Sequence, residues 1–379
     1  MYLLEHDAKE LFATRGVPVP PGVLSDPAQP LPALPPGPWI VKAQVPTGGR
    51  GKAGGIRPAA SESEVRAAIA AMAGMTIGGR PVREFRIEQQ VRSAAEAYFS
   101  LLLDAQHAAV RVIVASQGGV DIETNDAARL RSALCDPDAA SINARTAELA
   151  RDLETPIKEA VVAAANTLGA AFCAWECVLL ELNPLFVLPD GRWCAGDAKM
   201  ITDDNALPRQ PALAALLERR AAAYPEAHLK LHYGCDYVVV DPQGEIGFLT
   251  TGAGLSMMLI DELREAGLRP YNFLDVRTGG LRGDPSRLIH VLNWIAEGAR
   301  VKVVLVNIFA GITDLGEFAR LLLAALRSTP QLRVPVVARL VGNGVESARS
   351  VLAEAGIPVV TDLEQSVARV RQHLAGAIA

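Results

Sequence analysis

The chain has 379 residues, and at roughly 150 residues per domain this length predicts about two to three domains. Lys and Arg number 37 against 42 Asp and Glu, a net charge of −5, which excludes a general nucleic-acid binder because such a protein needs a basic surface to neutralise phosphates. Half of the residues are hydrophobic and only 5% aromatic, so the chain is no disordered tail and its cores are expected to be built from Ala, Val, Leu and Ile.

In chain order, the first half, to about residue 224, reads as irregular α+β. Residues 4–16 form a short helix, with Leu4, Leu11 and Phe12 at helical spacing and Gly16 closing it. The Pro-rich stretch 17–38 reads as loop within a domain. Residues 39–45 (WIVKAQV) form a strand, and 61–72 form a helix opened by Ser61 with Glu64 three residues on, a capping box. Strands are expected at 86–91, 97–103 and 109–115, and one long helical region at 146–168.

The second half repeats one theme. Strands at 237–241, 246–250, 271–276, 301–309, 334–340 and 357–361 are interleaved with helices at 255–266, 285–296, 315–328, 345–355 and 363–374. Such alternation predicts a doubly wound parallel sheet with right-handed crossovers, of flavodoxin or Rossmann type. The Val-rich strands suit burial on both faces. The junction falls near 230–236.

The five cysteines, Cys135, Cys173, Cys177, Cys194 and Cys235, are too few and odd in number for a disulfide framework. Cys173 and Cys177 stand four apart, lack a nearby His or second Cys pair, and read as small core residues. The N-terminus is charged from Glu5 onward and has no signal-peptide core. The longest apolar stretch, 160–175, contains Asn166, Thr167 and Gly169 and reads as a core helix, not a membrane span. A reducing cytoplasm is the expected setting, with no membrane.

Three constellations carry chemistry. The first is TGGRGKAGG at 47–55, directly after the WIVKAQV strand. Its glycines let backbone N–H groups approach a phosphate, and Lys42, Arg50 and Lys52 add positive charge. Gly49, Gly51 and Gly54 match G-x-G-x-x-G in form. However, no helix opens at the loop, so a dinucleotide fingerprint is rejected in favour of a mobile phosphate-covering loop.

The second is the pair of runs 176–188 and 192–200 around Pro189-Asp190-Gly191. A hairpin folded about Asp190 sets Asn183 opposite Asp197 and Glu181 opposite Lys199, all on one face. An Asn carbonyl beside an Asp carboxylate suits Mg²⁺. The alternative is a solvent face carrying a Glu–Lys pair.

The third is the set of glycine loops at 251–254, 277–284, 310–313 and 341–344, at the carboxyl ends of second-half strands, where open α/β sheets bind ligands. No G-x-S-x-G elbow, G-x-x-x-x-G-K-[ST] loop or H-E-x-x-H is present, and none of the six histidines lies in these loops. His228 and His232, four apart, read as a surface pair.

These segments together resemble the β subunit of succinyl-CoA synthetase, within the ADP-forming acyl-CoA ligases that have an ATP-grasp domain. The likeness covers EHDAKELF, WIVKAQVPTGGRGKAGG, QGGVDIE, LLELNPLFV, GDAKMITDDNALPRQP, GFLTTGAGLSM, YNFLDV, VKVVLVNIFAGI and VVARLVGN. GDAKM, DDNAL and NIFAGI are also similar to the malate–CoA ligase branch.

The resemblance implies a two-lobed ATP-grasp domain at 1–224 and a flavodoxin-like CoA-ligase domain at 225–379. It implies that Lys42, Gly49, Arg50 and Gly51 hold ATP (or GTP) phosphates, that Glu88 and Val91 sit at the base and hinge, and that Glu96 lies near the ribose. Asn183 and Asp197 would hold Mg²⁺, and Glu181 would orient a phosphorylated histidine carried by a separate α subunit, which also supplies most of the coenzyme A site. The implied reaction phosphorylates that histidine from ATP, passes the phosphate to a small carboxylic acid, and ends with CoA thiol displacing it, in an αβ or (αβ)₂ assembly.

Departures concentrate where this family binds the acid. Thr251 stands where it has Asn, Arg277-Thr278-Gly279-Gly280 where it has three glycines, and Val341 where it has an acid; Gly311, Ile312 and Thr313 keep the remaining substrate loop. Arg277 adds a cation suited to bidentate anion binding. Two acids therefore stay open: succinate, or one carrying a hydroxyl, a further carboxylate or a sulfonate. An ATP-grasp ligase joining a carboxylate to an amine and a non-catalytic nucleotide-binding scaffold are the competing classes.

Overall fold

A computed structural model of the chain describes residues 1–119, 130–278, 281 and 283–376. The end of the QGGVDIE segment, from residue 120, and Gly279, Gly280 and Arg282 of the 277–284 loop lie outside the described residues. Two units divide the chain, Met1–Ala212 and Leu213–Ala379; the sequence expectation puts the boundary at 224/225.

The first unit holds two larger antiparallel sheets. One has the strands Gly22–Ser25, Glu84–Gln89, Trp39–Gln44 and Ile56–Ala59 in that order. Its pleat divides apolar from charged residues. Val41, Ala43, Phe85 and Ile87 enter a core with Val65, Ile69 and Met72 of the helix Glu62–Met72. Lys42, Arg86 and Glu88, at the alternate positions, therefore share the opposite face. The helix begins as expected, with Ser61 Oγ accepting from the Glu64 N–H and Glu64 Oε2 accepting from the Ala60 N–H.

The second sheet runs Trp193–Ala195, Cys177–Val187, Ala95–Asp104, Ala109–Ala115 and Arg131–Cys135, and Lys199–Thr202 also pairs with Cys177–Val187. The helix Thr155–Ala174 has the length and apolarity of a membrane span, but Ile157, Ala160, Val161, Ala164, Ala165 and Leu168 are buried, and it packs on the two central strands.

Three details differ from expectation. The Pro-rich stretch contains the strand Gly22–Ser25, which pairs with Glu84–Gln89; lying at an edge, it tolerates flanking prolines. The region 146–168 is not one helix but parts of two, Ala139–Leu149 and Thr155–Ala174. Pro156, in the first turn of the second, cannot donate to a helix continuing from residue 152. The strands Ile56–Ala59 and Arg131–Cys135 are short and lack the apolar–polar alternation that would announce them.

In the second unit Ile246–Thr250, Val303–Ala310, Val336–Gly342 and Val359–Val360 form a parallel sheet. Asn272–Asp275 runs beside Ile246–Thr250, with Tyr271 N–H donating to Ile246 O (2.8 Å) and Val276 N–H to Thr250 O (2.9 Å). Counted from Ile246, the strand order is thus 2-1-3-4-5, the flavodoxin order. Both faces are covered. Val304, Val306 and Ile308 join the helices Ser286–Ala296 and Leu315–Arg327 in one core, while Val303 and Leu305 join Ala253–Glu265 and Leu363–Gly376 in another.

The sheet is not wholly parallel. Asp236–Val239 pairs antiparallel with Asn272–Asp275, because the short connection 240–245 to the next strand leaves no room for a crossover helix.

Asn272 is fully buried and joins two strands by its side chain: its carboxamide accepts from Phe248 N–H (2.8 Å) and donates to Phe248 O (3.0 Å). Asn272→Ala strands both main-chain groups. At about 1–3 kcal/mol for each unsatisfied group, a loss of about 2–6 kcal/mol is expected in urea unfolding of the second unit.

Candidate functional site

The first unit encloses a cleft of about 390 Å³ between its two sheets, and it gathers every candidate residue of that half. Lys42, Glu88 and Val91 come from the first sheet and its exit, Gly49, Arg50 and Gly51 from the glycine loop, Glu96, Glu181 and Asn183 from the second sheet, and Asp197 from the hairpin's return.

The cations of this cleft are held in a buried lattice of charge. Glu5 takes Lys42 (2.8 Å), Lys9 (2.7 Å) and Arg50 (2.6 Å). Glu88 takes Lys42 (2.6 Å), Lys9 (2.8 Å) and Arg86 (2.6 Å). Arg50 bridges on to Asp197 Oδ1 (2.6 Å). Burial works against ionising the two glutamates, but the surrounding Lys42, Lys9 and Arg side chains outweigh it and hold both carboxyls below the usual range. For Lys42 and Arg50 burial also opposes the charge, and the carboxylates win, so both pKa values rise. Lys9 goes the other way: fully enclosed, it is lowered by burial despite Glu5 and Glu88.

The hairpin keeps the expected Glu181–Lys199 register. Asn183 and Asp197 do not pair directly. The ladder breaks at Pro184, which has no N–H, and Gly196 and Asp197 both donate to Pro184 O (3.0 and 3.3 Å). A bulge between Leu182 and Leu185 accompanies the break. Asn183 Oδ1 instead accepts from Gly119 N–H (2.6 Å), and Asp197 Oδ1 from Ala198 N–H (2.8 Å) as well as Arg50. Both still line the cleft with Glu181, whose Oε2 accepts from Tyr98 OH (3.1 Å). Tyr2 lines it too; burial, with Asp197 and Glu181 adding to it against Arg50, pushes its hydroxyl up to about 12. Burial also raises Glu96.

In the second unit the topology places Thr251 and Gly311, Ile312 and Thr313 at the carboxyl ends of neighbouring strands, at the switch point of the sheet. The helix Ala253–Glu265 opens there, and Asp275 Oδ1 accepts from Gly252 N–H (2.8 Å). Thr278 Oγ1 lies 3.3 Å from Thr313 Oγ1, joining two of the loops, and Ile312 is almost fully exposed. Arg277 has a left-handed backbone (φ +49°), and its half-exposed guanidinium donates to Asp236 Oδ2 (2.8 Å). Asp284 Oδ1 accepts from Ser286 N–H (2.9 Å) and Ser286 Oγ (2.7 Å).

Comparison with known proteins follows these two units. A model for the ATP-grasp domain matches residues 2–187 and one for CoA-ligase matches 249–372. The β subunit of ADP-forming succinate–CoA ligase from Chloroflexus aurantiacus is 38% identical over 99% of this chain and 100% of its own length. Its counterpart from Thioalkalivibrio sulfidiphilus is 36% identical over 95% and 96%, and that from Aquifex aeolicus 33% over 94% of each. The chain belongs to the family of ADP-forming succinate–CoA ligase β subunits.

Beyond this family, the fold extends to ATP citrate lyase from Methanothrix soehngenii, whose structure in complex with citrate and coenzyme A superposes with a TM-score of 0.72 over 94% of this chain and 95% of that one, at 17% identity.

Sequence reasoning missed Glu5, which pairs with Lys42 and Arg50, and Lys9 and Arg86, which hold the carboxylates of Glu5 and Glu88. In a sequence, Glu5 and Lys9 look like an ordinary solvent-facing i,i+4 pair. Their one distinguishing signal is that Asp7, Ala8, Leu11 and Phe12 leave the helix Glu5–Thr14 with no clean polar face, and most of its residues are buried.

Proposed function

We propose that the chain is the catalytic β subunit of an ADP-forming succinate–CoA ligase, acting with an α-type partner that carries the phosphorylated histidine and most of the coenzyme A site. The observation that carries this reading is the cleft itself: Lys42 and Arg50, held in the charged state, line one cavity with Asn183, Asp197 and Glu181.

In this reading ATP (or GTP) binds with its phosphates against Lys42, Arg50 and the 49–51 backbone, and its base and ribose toward Val91 and Glu96. Lys42 and Arg50 are pre-set by Glu5 and Glu88, so little reorganisation is needed as charge develops on the transferred phosphoryl group. The donor set fits Mg²⁺, since Asn183 and Asp197 offer only a carbonyl and a carboxylate oxygen as ligands. When bound, the ion would neutralise phosphate charge there. Glu181, steadied by Tyr98, accepts an N–H of the partner's imidazole and turns its other nitrogen toward the phosphate. In the second unit, Thr251 and Gly311, Ile312 and Thr313 receive the acid and its phosphate at the switch point, beside a helix N-terminus. A cytoplasmic αβ or (αβ)₂ enzyme is the matching assembly.

The test is to co-purify the chain with its α-type partner and follow nucleoside diphosphate release with Mg²⁺ and CoA. Succinate, malate, citrate and sulfoacetate are offered in turn, with ATP and GTP in parallel. Succinate-dependent release is expected. Nucleotide binding without turnover on any acid would leave the scaffold reading in its place, and CoA-independent turnover the carboxylate–amine ligase.

Thr251 and Arg277 favour a second reading in which another acid is used, while the Arg277–Asp236 pair favours succinate because it already engages the guanidinium. Arg277→Gly is accordingly expected to leave the order of kcat/KM among the four acids unchanged. A shift toward succinate in that variant would put Arg277 on the acid.

A further inference from the structure

Outside both family matches, two helices bring together a cluster that the proposed reaction does not use. Glu218 lies near the end of the helix Pro211–Arg219, and His228 and His232 lie one turn apart on the helix Pro225–Tyr233. One ligand atom from each of the three residues falls within 4.8 Å of the others. His232 Nε2 is 2.8 Å from Glu218 Oε1, and the two imidazole rings stand 4.2 Å apart, tilted by 46°. The i,i+4 spacing stacks the imidazoles on one face of their helix, but only the fold supplies the carboxylate.

A plain ion pair between His232 and Glu218 accounts for two of these residues and leaves His228 beside a second imidazole, which repels it if both are protonated. A metal ion uses all three. Ligands at about 2.0–2.2 Å from a tetrahedral ion sit about 3.3–3.6 Å from one another, so the donor atoms need only small rotamer changes to close on one centre. Two imidazoles and one carboxylate form a donor set of borderline softness, suited to Zn²⁺, Ni²⁺ or Co²⁺ and poorly to Mg²⁺ or Ca²⁺, which want oxygen.

We propose that Glu218, His228 and His232 form a surface site for a divalent transition-metal ion of the Zn²⁺ class. Glu218 and His232 are 54% and 38% exposed, so water completes the coordination and the ion enters directly from solvent. Once bound, the ion ties the two helices across the turn 220–224, and binding to the folded form alone raises stability by mass action.

The tag-free full chain, stripped with chelator, is titrated with ZnCl₂ by calorimetry, with MgCl₂ in parallel. One saturable Zn²⁺ site per chain and no Mg²⁺ binding at the same concentrations are expected. His228→Ala, His232→Ala and Glu218→Gln should each weaken Zn²⁺ by at least ~10-fold, and the double histidine variant should remove the site. Co²⁺ offers a second readout, in visible bands of tetrahedral intensity that the double variant lacks. Circular dichroism checks that the variants remain folded. Failure of the intact chain to saturate with Zn²⁺, or a site that survives in the double variant, for example on the separate His6, Asp7 and Glu10 cluster, would overturn the assignment. Turnover with the α-type partner tests the proposed reaction separately.

Discussion

Asp197→Ala is expected to lower ADP formation by the assembled enzyme by at least about 10²-fold, the scale of removing one preorganised group that stabilises developing charge. Two losses coincide in this variant. Asp197 supplies a carboxylate oxygen to the cleft that Asn183 also lines, where Mg²⁺ is proposed to bind, and it anchors Arg50 by a 2.6 Å charge-assisted hydrogen bond. Without it, among the described residues, Arg50 keeps Glu5 and its long hydrogen bond to Ala43 O (3.4 Å), and can swing from the proposed phosphate path. Asp197→Asn separates the two effects, since it keeps an oxygen for the metal and an acceptor for Arg50 but removes the charge. Its deficit should shrink as Mg²⁺ is raised, whereas that of Asp197→Ala should persist. Single-turnover measurement of ADP, with nucleotide saturating, reads the chemical step; wild-type rates in Asp197→Ala would remove this residue from the site.

Glu5→Ala is expected to have the largest effect on stability. The Glu5 carboxylate is almost wholly buried and meets Lys9, Lys42 and Arg50. Its removal leaves those cations sharing Glu88 and Asp197, and breaking a buried pair in this way costs about 3–5 kcal/mol. Three of the four tryptophans, Trp39, Trp175 and Trp193, lie in the first unit, so fluorescence in urea reports its unfolding. A midpoint shift with unchanged slope is the expected form. Glu5→Gln keeps the shape but not the charge and should fall between.

The same lattice sets a pH dependence. The folded pKa values of Glu5 and Glu88 lie below the ordinary 4.5, so each carboxylate adds stability that is present above that value. This stability is lost as pH falls through the folded pKa values, when the unfolded chain binds protons more readily than the folded one. Acid unfolding of the first unit should therefore steepen below about pH 4, and Glu5→Gln should flatten that limb.

The hydrophobic period of the second half was enough to read its strands and helices, because parallel strands buried on two faces become continuous Val-rich runs that surface elements do not imitate. The antiparallel edge Asp236–Val239 was not readable in that way, since a strand's direction depends on its partner and not on its own residues. In the first half the glycine loop and the hairpin about Asp190 were legible from composition and symmetry. The break at Pro184 is also written in the sequence, but where Asn183 turns is decided by Gly119, a residue 64 positions away.

By itself, then, the sequence determined the fold class and the family, and it pointed to residues that line one cleft of the first unit, since each rests on local period, turn chemistry or ordered motifs. The tertiary structure alone decided how those residues are charged and held. Glu5, Lys9 and Arg86 carry little local mark of burial, yet Glu5 pairs with Lys42 and Arg50 and favours their charged forms, while Lys9 and Arg86 hold the carboxylates of Glu5 and Glu88. Glu218 completes a three-residue cluster with His228 and His232 only because two helices turn back on each other. Electrostatic interaction depends on distance in space and on the surrounding dielectric, and neither quantity exists until the chain has folded.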